Sequence, residues 1–333
     1  LMKPIVVTFG DAAGIGPEIV VKTFADTEFM EQYPAFVVGD LGIMKSAAAR
    51  WGSSLVVEPI FAPEEYAPAA RRMQVVSLSG LPADLQHGEI SAAAGAAAFG
   101  AIRQSIEWAN DGRVSAICTA PIHKEALAAA GVPYPGHTEM LADLSGTSDY
   151  GMMLANPHLR TLLVTVHCSI LDAVRKLSVE RELQVIRLAH RSLQSMGIAQ
   201  PRIAVAGLNP HAGEGGLFGS EDMELIAPAV AQARQEGIDA VGPLPGDTVF
   251  MQARKGRFDI VVAQYHDQGL IPVKLLGVED GVNVTVGLPF VRTSPDHGTA
   301  FDIAGQGIAD PSSLKTALAT AHQLARSSSA ATI

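Results

Sequence analysis

The sequence is organised around residues 206–216, AGLNPHAGEGG, a segment with four glycines, an asparagine, a histidine and a glutamate. The largely apolar residues 202–205 before it predict a buried strand, and residues 220–233 after it predict a helix. Polar, glycine-rich loops at the carboxyl ends of strands are where open α/β sheets bind their ligands. The segment therefore predicts an α/β fold with a binding loop at this point, and the alternative is an ordinary strand-to-helix turn.

Apolar runs and helical stretches alternate along the rest of the chain in the same way. Such alternation is typical of a mainly parallel sheet with helices on both faces. A chain of 333 residues is long enough for two domains, and a rigid proline-rich turn marks a change in composition, so we place a domain boundary near residue 131. Residues 151–155 and 161–166 predict two strands joined by a turn, which indicates some antiparallel pairing.

The overall composition argues against some classes of function. With 34 acidic and 24 basic residues the net charge is −10, which argues against a nucleic-acid-binding protein. No apolar run approaches the ~20 residues that span a bilayer, and the first strand follows no signal peptide, so we expect a cytoplasmic protein without membrane contact. Cys118 and Cys168 lie in or beside apolar runs and are expected to be small core residues in a reducing compartment.

Three histidines share one sequence context. His167, His211 and His266 each lie just beyond a predicted strand. Because the carboxyl ends of parallel strands meet at one edge of a sheet, three imidazoles there could hold a divalent metal ion and leave positions open for substrate oxygens. The alternative is that each histidine only makes structural hydrogen bonds.

Other polar residues near these positions suit a small anionic ligand. Arginine binds phosphate or carboxylate with a two-pronged contact, and lysine supplies a point charge. The alternative, ordinary surface cations, fits Arg292 poorly because it lies among Gly, Pro and Thr residues. Asp247 and Asp267 could accept a proton, orient a histidine or repel a competing ligand. The candidates for the anion site are His137, Thr138, Lys274, Asn283 and Arg292.

A second glycine-containing loop, FGDAAGIGPE in residues 9–18, follows the first predicted strand. Proline at position 17 suits a helix start after Gly16. The spacing of Gly10, Gly14 and Gly16 is not the dinucleotide fingerprint G-x-G-x-x-G, since residue 19 is isoleucine. The loop could still bring backbone N–H groups to a ligand, or it could be a tight turn.

Together these motifs resemble a known family. The sequence is similar to the 4-hydroxythreonine-4-phosphate dehydrogenases of vitamin B6 biosynthesis and their paralogues over almost its whole length. The resemblance is carried by residues 11–18, 119–125, 135–139, 207–216, 242–245, 265–269 and 287–300.

The resemblance implies a fold like that of isocitrate and isopropylmalate dehydrogenases, with two α/β/α domains flanking a cleft. The first domain would comprise residues 1–130 and 300–333, and the second, residues 131–299, would carry the metal site and the dimer interface. It also implies a homodimer with a shared active site, NAD or NADP as cofactor, and one divalent metal ion, which would be Zn, Mg, Co or Mn.

The resemblance further implies a role for each candidate residue. The three histidines become the metal ligands, one of them supplied by the partner chain, and the five anion-site residues become the substrate contacts. As catalytic groups we expect Asp247, Asp267 and Lys274. As cofactor contacts we expect Gly14, Gly16, Asn209, Gly213 and Glu214.

The implied reaction is oxidation of a secondary hydroxyl of a small anionic substrate, followed by loss of CO2 from the resulting β-keto acid. We expect 4-phosphohydroxy-L-threonine as the substrate. Two departures leave paralogue substrates open: Ala12 stands where the family usually has proline, and Leu171 where the biosynthetic enzymes usually have arginine. The alternatives are threonate or erythronate 4-phosphate, a terephthalate-type cis-dihydrodiol, a phosphate acyltransferase of related fold, and a non-catalytic sugar-phosphate sensor.

Overall fold

The computed structural model describes residues 3–52, 54–78, 80–82, 84–277 and 281–330, with the side chains of residues 328–330 left aside. The chain forms two compact α/β units. The first consists of Leu1–Ser148 with Leu288–Arg326, and the second of Asp149–Gly287 with Ser327–Ile333. The predicted α/β fold is confirmed, and the ends at residues 1–2 and 331–333 lie outside the described residues.

The strands and helices alternate for most of the chain. The strands are β1 (Ile5–Thr8), β2 (Ala35–Gly39), β3 (Val56–Ile60), β4 (Arg72–Ser77), β5 (Ala116–Thr119), β6 (Gly151–Ala155), β7 (Arg160–Leu163), β8 (Ile203–Ala206), β9 (Ala240–Leu244), β10 (Ile260–Ala263), β11 (Val282–Val286) and β12 (Val291–Pro295).

The α-helices are α1 (Gly16–Ala25), α2 (Thr27–Gln32), α3 (Leu41–Trp51), α4 (Ala92–Asn110), α5 (Lys124–Ala129), α6 (His137–Leu144), α7 (Ile170–Lys176), α8 (Val179–Ser195), α9 (Ala227–Gln235), α10 (Gly246–Arg254), α11 (His266–Leu275) and α12 (Ser312–Ala330). None of the helices in the described ranges combines the length and the apolar character that a membrane span requires.

The first unit contains a parallel sheet in the order β3-β4-β2-β1-β5-β12. Every residue of β1, β2 and β5 is buried, as their continuous apolar sequences predict for strands covered on both faces. Ser91 caps α4 by accepting the N–H of Ala94, and Pro17 lies in the first turn of α1.

The second unit contains a mixed sheet in the order β11-β6-β7-β10-β8-β9. β6 runs antiparallel to both β7 and β11, whereas β7, β10, β8 and β9 are parallel. The predicted antiparallel hairpin is confirmed, and Asn156 shapes its turn because its Oδ1 accepts the N–H groups of His158 and Leu159. The carboxyl ends of β7, β8 and β10 therefore lie at the same edge.

The unit boundaries differ from the predicted domain boundaries. Residues 131–148 and 288–299, predicted for the second domain, lie in the first unit. The reason is pairing and packing: β12 pairs with β5, and α6 packs against α4. β12 itself was not predicted, because a segment rich in glycine and proline, residues 287–298, is typical of a loop.

A buried ion pair fixes α1 within the first unit. Lys22 Nζ donates to Glu18 Oε1 at 2.8 Å and to the backbone carbonyls of Gly307 and Ala309 at 2.8 and 2.7 Å. Glu18 is only 1% exposed, and its Oε1 also accepts the N–H of Ala309 at 2.9 Å. Lys22 thus neutralises a buried carboxylate and ties residues 307–309 to the helix.

We expect Lys22→Met to lower the free energy of unfolding by about 3 kcal/mol, because it leaves the Glu18 carboxylate buried without its cation. Denaturant titration of the variant measures the loss. Lys315→Met is the matched control, since Lys315 pairs at 2.7 Å with the more exposed Asp26 and should cost less than about 1 kcal/mol. Equal losses in the two variants would contradict the special role of Lys22.

Candidate functional site

The first unit holds a buried cation at the end of its sheet. Arg292 lies on β12, is 3% exposed, and donates from Nη2 to the Thr119 hydroxyl at the end of β5, at 2.8 Å. Burial lowers the pKa of Arg292 to about 10. The guanidinium is therefore destabilised by its surroundings, and an anion bound beside it would stabilise it.

His137 lies next to this cation and begins α6. Burial, and then the charge of Arg292, hold the pKa of His137 well below its usual value, so the ring is neutral near pH 7. The residue is half-buried overall, but its Nε2 is fully covered and has no hydrogen-bond partner among the described residues. Thr138 is the second residue of the helix, and no side chain caps the helix start at Gly136. Arginine, imidazole and an uncapped helix N-terminus together suit an anion such as phosphate.

Packing inside the first unit explains why glycine stands at positions 14 and 16 of the loop that follows β1. A Cβ at Gly14 would lie 2.9 Å from Thr299, and one at Gly16 would lie 2.4 Å from the carbonyl oxygen of Phe9. The N–H of Gly14 donates to the carbonyl of Asp11 at 3.1 Å. Both glycines are buried, so their predicted contact with the cofactor stays a prediction.

In the second unit, two of the three candidate metal ligands come together. The rings of His167 and His266 have centroids 5.6 Å apart, and His266 Nδ1 lies 2.8 Å from Asp267 Oδ1. His211 is exposed, and its ring is 6.2 Å from that of Phe218 in its own loop. Within the described part of the chain, no three His, Cys, Asp or Glu residues are placed to hold one metal ion. The site in which three histidines from two protomers hold one metal ion therefore stays a prediction.

The loop of His211 is a left-handed turn. Residues 211–215 all have positive φ, and His211, Ala212 and Glu214 are not glycines. Each costs about 1 kcal/mol or more in this conformation. The buried Asp222 holds the loop, because its carboxylate accepts the N–H groups of Leu208 and Asn209 at 2.7 and 3.1 Å.

This network changes the interpretation of the predicted cofactor contacts in the loop. Asn209 Nδ2 donates to Asp222 Oδ2 at 3.0 Å and to Glu221 Oε2 at 2.7 Å, so the amide supports the loop. Gly213 is buried, and a Cβ there would lie 3.0 Å from the carbonyl of Gly219. Glu214 is exposed. Of these three residues, Glu214 has the side chain most accessible to a ligand.

The remaining candidates of the second unit differ in burial. Asp247 is exposed in the first turn of α10, and α11 carries the exposed Asp267 in its first turn and the exposed Lys274 in its last. Asn283 is half-buried in the middle of β11, and its Oδ1 is buried without a hydrogen-bond partner in the described ranges. Such an orphan acceptor marks a position where a ligand could donate a hydrogen bond.

The sequence analysis missed several residues that shape these sites. Thr119 begins the resembling stretch 119–125 but received no role, although its place at the end of an apolar run was a usable signal. Of the two glutamines that flank His266, Gln268 lies in the resembling motif 265–269 and Gln264 directly precedes it, but neither received a role. The acidic residues that support the loops from helices, such as Asp222, give no local signal. The missed residues are Thr119, Glu182, Asp222, Gln264 and Gln268.

Known proteins are similar to this chain over almost its whole length. A 4-hydroxythreonine-4-phosphate dehydrogenase of Beijerinckia indica is 57% identical over 324 residues, which cover 97% of this chain and 96% of the relative. A D-threonate 4-phosphate dehydrogenase of Cupriavidus necator is 51% identical and covers 96% of each chain.

Solved structures also match this chain over almost its whole length. The crystal structure of 4-hydroxythreonine-4-phosphate dehydrogenase from Klebsiella pneumoniae matches with a TM-score of 0.91 and 45% identity, covering 97% of this chain and 99% of that one. A terephthalate 1,2-cis-dihydrodiol dehydrogenase from Burkholderia xenovorans matches with a TM-score of 0.66 and 32% identity, over 95% and 98% of the chains. A branched-chain phosphotransacylase from Enterococcus faecalis, with a TM-score of 0.51 and 12% identity over 96% and 99% of the chains, shares the fold alone.

The family model described as pyridoxal phosphate biosynthetic protein PdxA matches residues 31–321. The dehydrogenase hypothesis is therefore confirmed, whereas the acyltransferase and sensor alternatives are not supported. With these matches the chain belongs to the PdxA family of 4-hydroxythreonine-4-phosphate and D-threonate 4-phosphate dehydrogenases.

Proposed function

We propose that this dehydrogenase oxidises the secondary hydroxyl of 4-phosphohydroxy-L-threonine, with subsequent decarboxylation, using NAD or NADP and one divalent metal ion. The observation that carries the proposal is the buried Arg292 beside the neutral His137 at the uncapped start of α6. This arrangement suits a doubly charged phosphate better than a neutral sugar or an aromatic ring.

D-threonate 4-phosphate is the second candidate, because relatives at 51% and 49% identity carry that name. It has the same phosphate and a neighbouring secondary hydroxyl, so the phosphate pocket does not discriminate between the two. Leu171, at the position where the biosynthetic enzymes usually have arginine, is exposed in the first turn of α7 and close in sequence to His167. A terephthalate-type dihydrodiol has no phosphate for Arg292 and is the weakest candidate.

The donor set of the second unit fits a divalent ion. Asp267 at His266 Nδ1 fixes the ring orientation and leaves Nε2 for a metal, as carboxylates do behind many metal-bound histidines. His167 would be the second ligand, and His211 of the partner subunit the third. Zn, Mg, Co and Mn all remain compatible with this set. Bound there, the metal would polarise the substrate hydroxyl while the nicotinamide accepts the hydride.

The protein side chains would then bind the substrate and move its proton. Arg292, His137 and Thr138 hold the phosphate, and the orphan Asn283 Oδ1 accepts a hydrogen bond from a substrate N–H or O–H group. Asp267 is engaged with His266, which leaves Lys274 and Asp247 to take the hydroxyl proton. After Lys274 has taken the proton, its ammonium group, on the same helix as His266, would attract the substrate carboxylate.

Exposed apolar residues support a homodimer with a shared site. Leu275 and Ile271 lie one turn apart on α11 and are 84% and 60% exposed. Leu217 and Phe218, which directly follow the left-handed turn of His211, are also exposed. Apolar side chains beside two of the metal-site segments are expected where a second copy of the chain covers the surface.

We expect Arg292→Met to lower kcat/KM for 4-phosphohydroxy-L-threonine at least ~100-fold, chiefly through KM, because a two-pronged contact with phosphate is lost. NAD(P)H formation measures the effect, with D-threonate 4-phosphate as the second substrate. The unphosphorylated 4-hydroxythreonine is the control substrate, on which the variant and the wild type should be equally slow. An unchanged KM for the phosphorylated substrate would argue against the proposed phosphate site.

We also expect two inactive variants, His167→Asn and His211→Asn, to restore activity when they are unfolded together and refolded as mixed dimers. If one protomer supplies His167 and His266 and its partner supplies His211, each heterodimer has one intact site. Random mixing then restores about a quarter of the wild-type activity. As the control, His167→Asn mixed with His266→Asn should stay inactive. Failure of the first mixture, with dimers shown to exchange, would refute the shared site.

A further inference from the structure

Glu182 is a buried acid that the proposed reaction does not use. It lies on α8, has no solvent exposure, and its Oε2 accepts a hydrogen bond from Gln264 Nε2 at 3.4 Å. The two remaining side-chain oxygens, Glu182 Oε1 and Gln264 Oε1, are buried and have no hydrogen-bond partner among the described residues. If Glu182 is ionised, both oxygens are hydrogen-bond acceptors, so they cannot form a hydrogen bond with each other.

Gln264 connects the segments that lead to the three candidate metal ligands. Its carbonyl oxygen accepts the Thr165 hydroxyl at 2.7 Å, two residues before His167, and Gln264 itself lies two residues before His266. Its Nε2 also donates to the carbonyl of Ala206 at 2.9 Å, at the start of the loop that carries His211.

A second glutamine repeats this connection. The N–H of Gln264 donates to Gln268 Oε1 at 2.7 Å, and Gln268 Nε2 donates to the carbonyl of Gly207 at 2.7 Å. The backbone carbonyl of Gln264 thus joins the end of β10 to the segment that follows β7, and the side-chain amides of Gln264 and Gln268 join it to the end of β8. Whatever orients the Gln264 side chain therefore also sets the position of the end of β8 relative to the end of β10.

We propose that Glu182 is held as a neutral carboxylic acid that donates its O–H to Gln264 Oε1, and that this acid–amide pair positions the segment of His211 relative to the segment of His266. The proposal rests on the proposed function in one respect, which is that those histidines bind a metal. A protonated carboxyl and a primary amide match as two reciprocal hydrogen bonds, so both orphan oxygens gain their partners at once.

Burial favours the neutral form of Glu182. The pKa of Glu182 is raised to about 7 chiefly by burial; the hydrogen bond from Gln264 and the charge of Arg181 oppose the shift, and the charge of Asp222 adds to it. Asp222 faces it from residues 222–226 and is engaged with the loop of Asn209. Arg181 precedes it on α8, and its Nε donates to the carbonyl of Val164 at 3.1 Å.

The sign of the pH effect follows from this raised pKa. An unfolded glutamate loses its proton near pH 4.5, whereas the folded protein keeps it to about pH 7. The contribution of the pair to stability is therefore complete at low pH and is lost as the pH rises through 7. Glu182→Gln keeps a donor toward Gln264 at every pH and removes this dependence.

The first test compares melting temperatures of the wild type, Glu182→Gln and Glu180→Gln from pH 5 to pH 9. Glu180 is an exposed glutamate on the same helix and serves as the matched control. The melting temperature of E182Q should rise relative to wild type by several degrees between pH 5 and pH 8 and then level off, while E180Q shows a constant offset. A constant offset for E182Q would overturn the proposal.

If E182Q does not fold, the infrared band of protonated carboxyl groups tests the same point. It is recorded on the Asp11→Asn variant, because Asp11 is another buried carboxyl whose pKa is raised by burial and whose band could be mistaken for that of Glu182. A band that disappears as the pH rises through 7 supports the neutral acid, and its absence at pH 6 overturns it. This measurement needs neither metal nor substrate.

The second test addresses the positioning role, with Co²⁺ as the probe. Between pH 6 and pH 8.5, the affinity of E182Q for Co²⁺ relative to that of wild type should rise about tenfold, the scale of a supporting group behind a metal ligand. If the melting series supports the neutral acid but the ratio of the Co²⁺ affinities of E182Q and wild type stays constant with pH, the positioning role is overturned. If none of the proteins binds Co²⁺ at any pH, the proposed metal site fails, and the melting series still decides the acid–amide pair.

Discussion

The constraint on which the second unit depends is the parallel arrangement of β7, β10 and β8, which places three carboxyl strand ends at one edge. Each strand is four residues long; β8 and β10 are purely apolar and β7 ends in two leucines, so the polar chemistry of this edge begins where the strands stop. His167 and His266 come within ring-contact distance for this reason, although 99 residues separate them in the sequence.

A strand end alone does not orient a side chain, and the polar groups beneath the edge supply the orientation. Gln264 and Asp222 have no solvent exposure; the side-chain amide of Gln264 donates to the carbonyl of Ala206, and Asp222 accepts the N–H groups of Leu208 and Asn209. The left-handed turn around His211 illustrates the balance, because three non-glycine residues adopt an unfavourable conformation there. The hydrogen bonds that Leu208 and Asn209 donate to Asp222 offset this cost, because they satisfy the N–H groups just before the turn.

The first unit solves a different problem, which is to keep a guanidinium inside the protein. Arg292 lies on a strand that pairs with β5, so the backbone fixes its position before any ligand arrives. His137 remains neutral beside it, which avoids a second buried positive charge. A site with its cation already in place loses little side-chain entropy on binding an anion, in contrast to a flexible surface lysine.

The sequence by itself determined the α/β class, the order of most strands and helices, the hairpin of the second unit and the membership of the family. These follow from apolar periodicity and from motifs, which are local in the chain. It also identified His167, His266, Arg292 and His137 as candidates, because strand ends and glycine-rich surroundings are visible in the sequence. Only the tertiary structure decided that β12 is a strand, that Arg292 is buried, and that Asn209 supports its own loop. The neutral state of Glu182 likewise depends on groups more than 30 residues away, since burial and hydrogen bonding arise only when distant segments pack together.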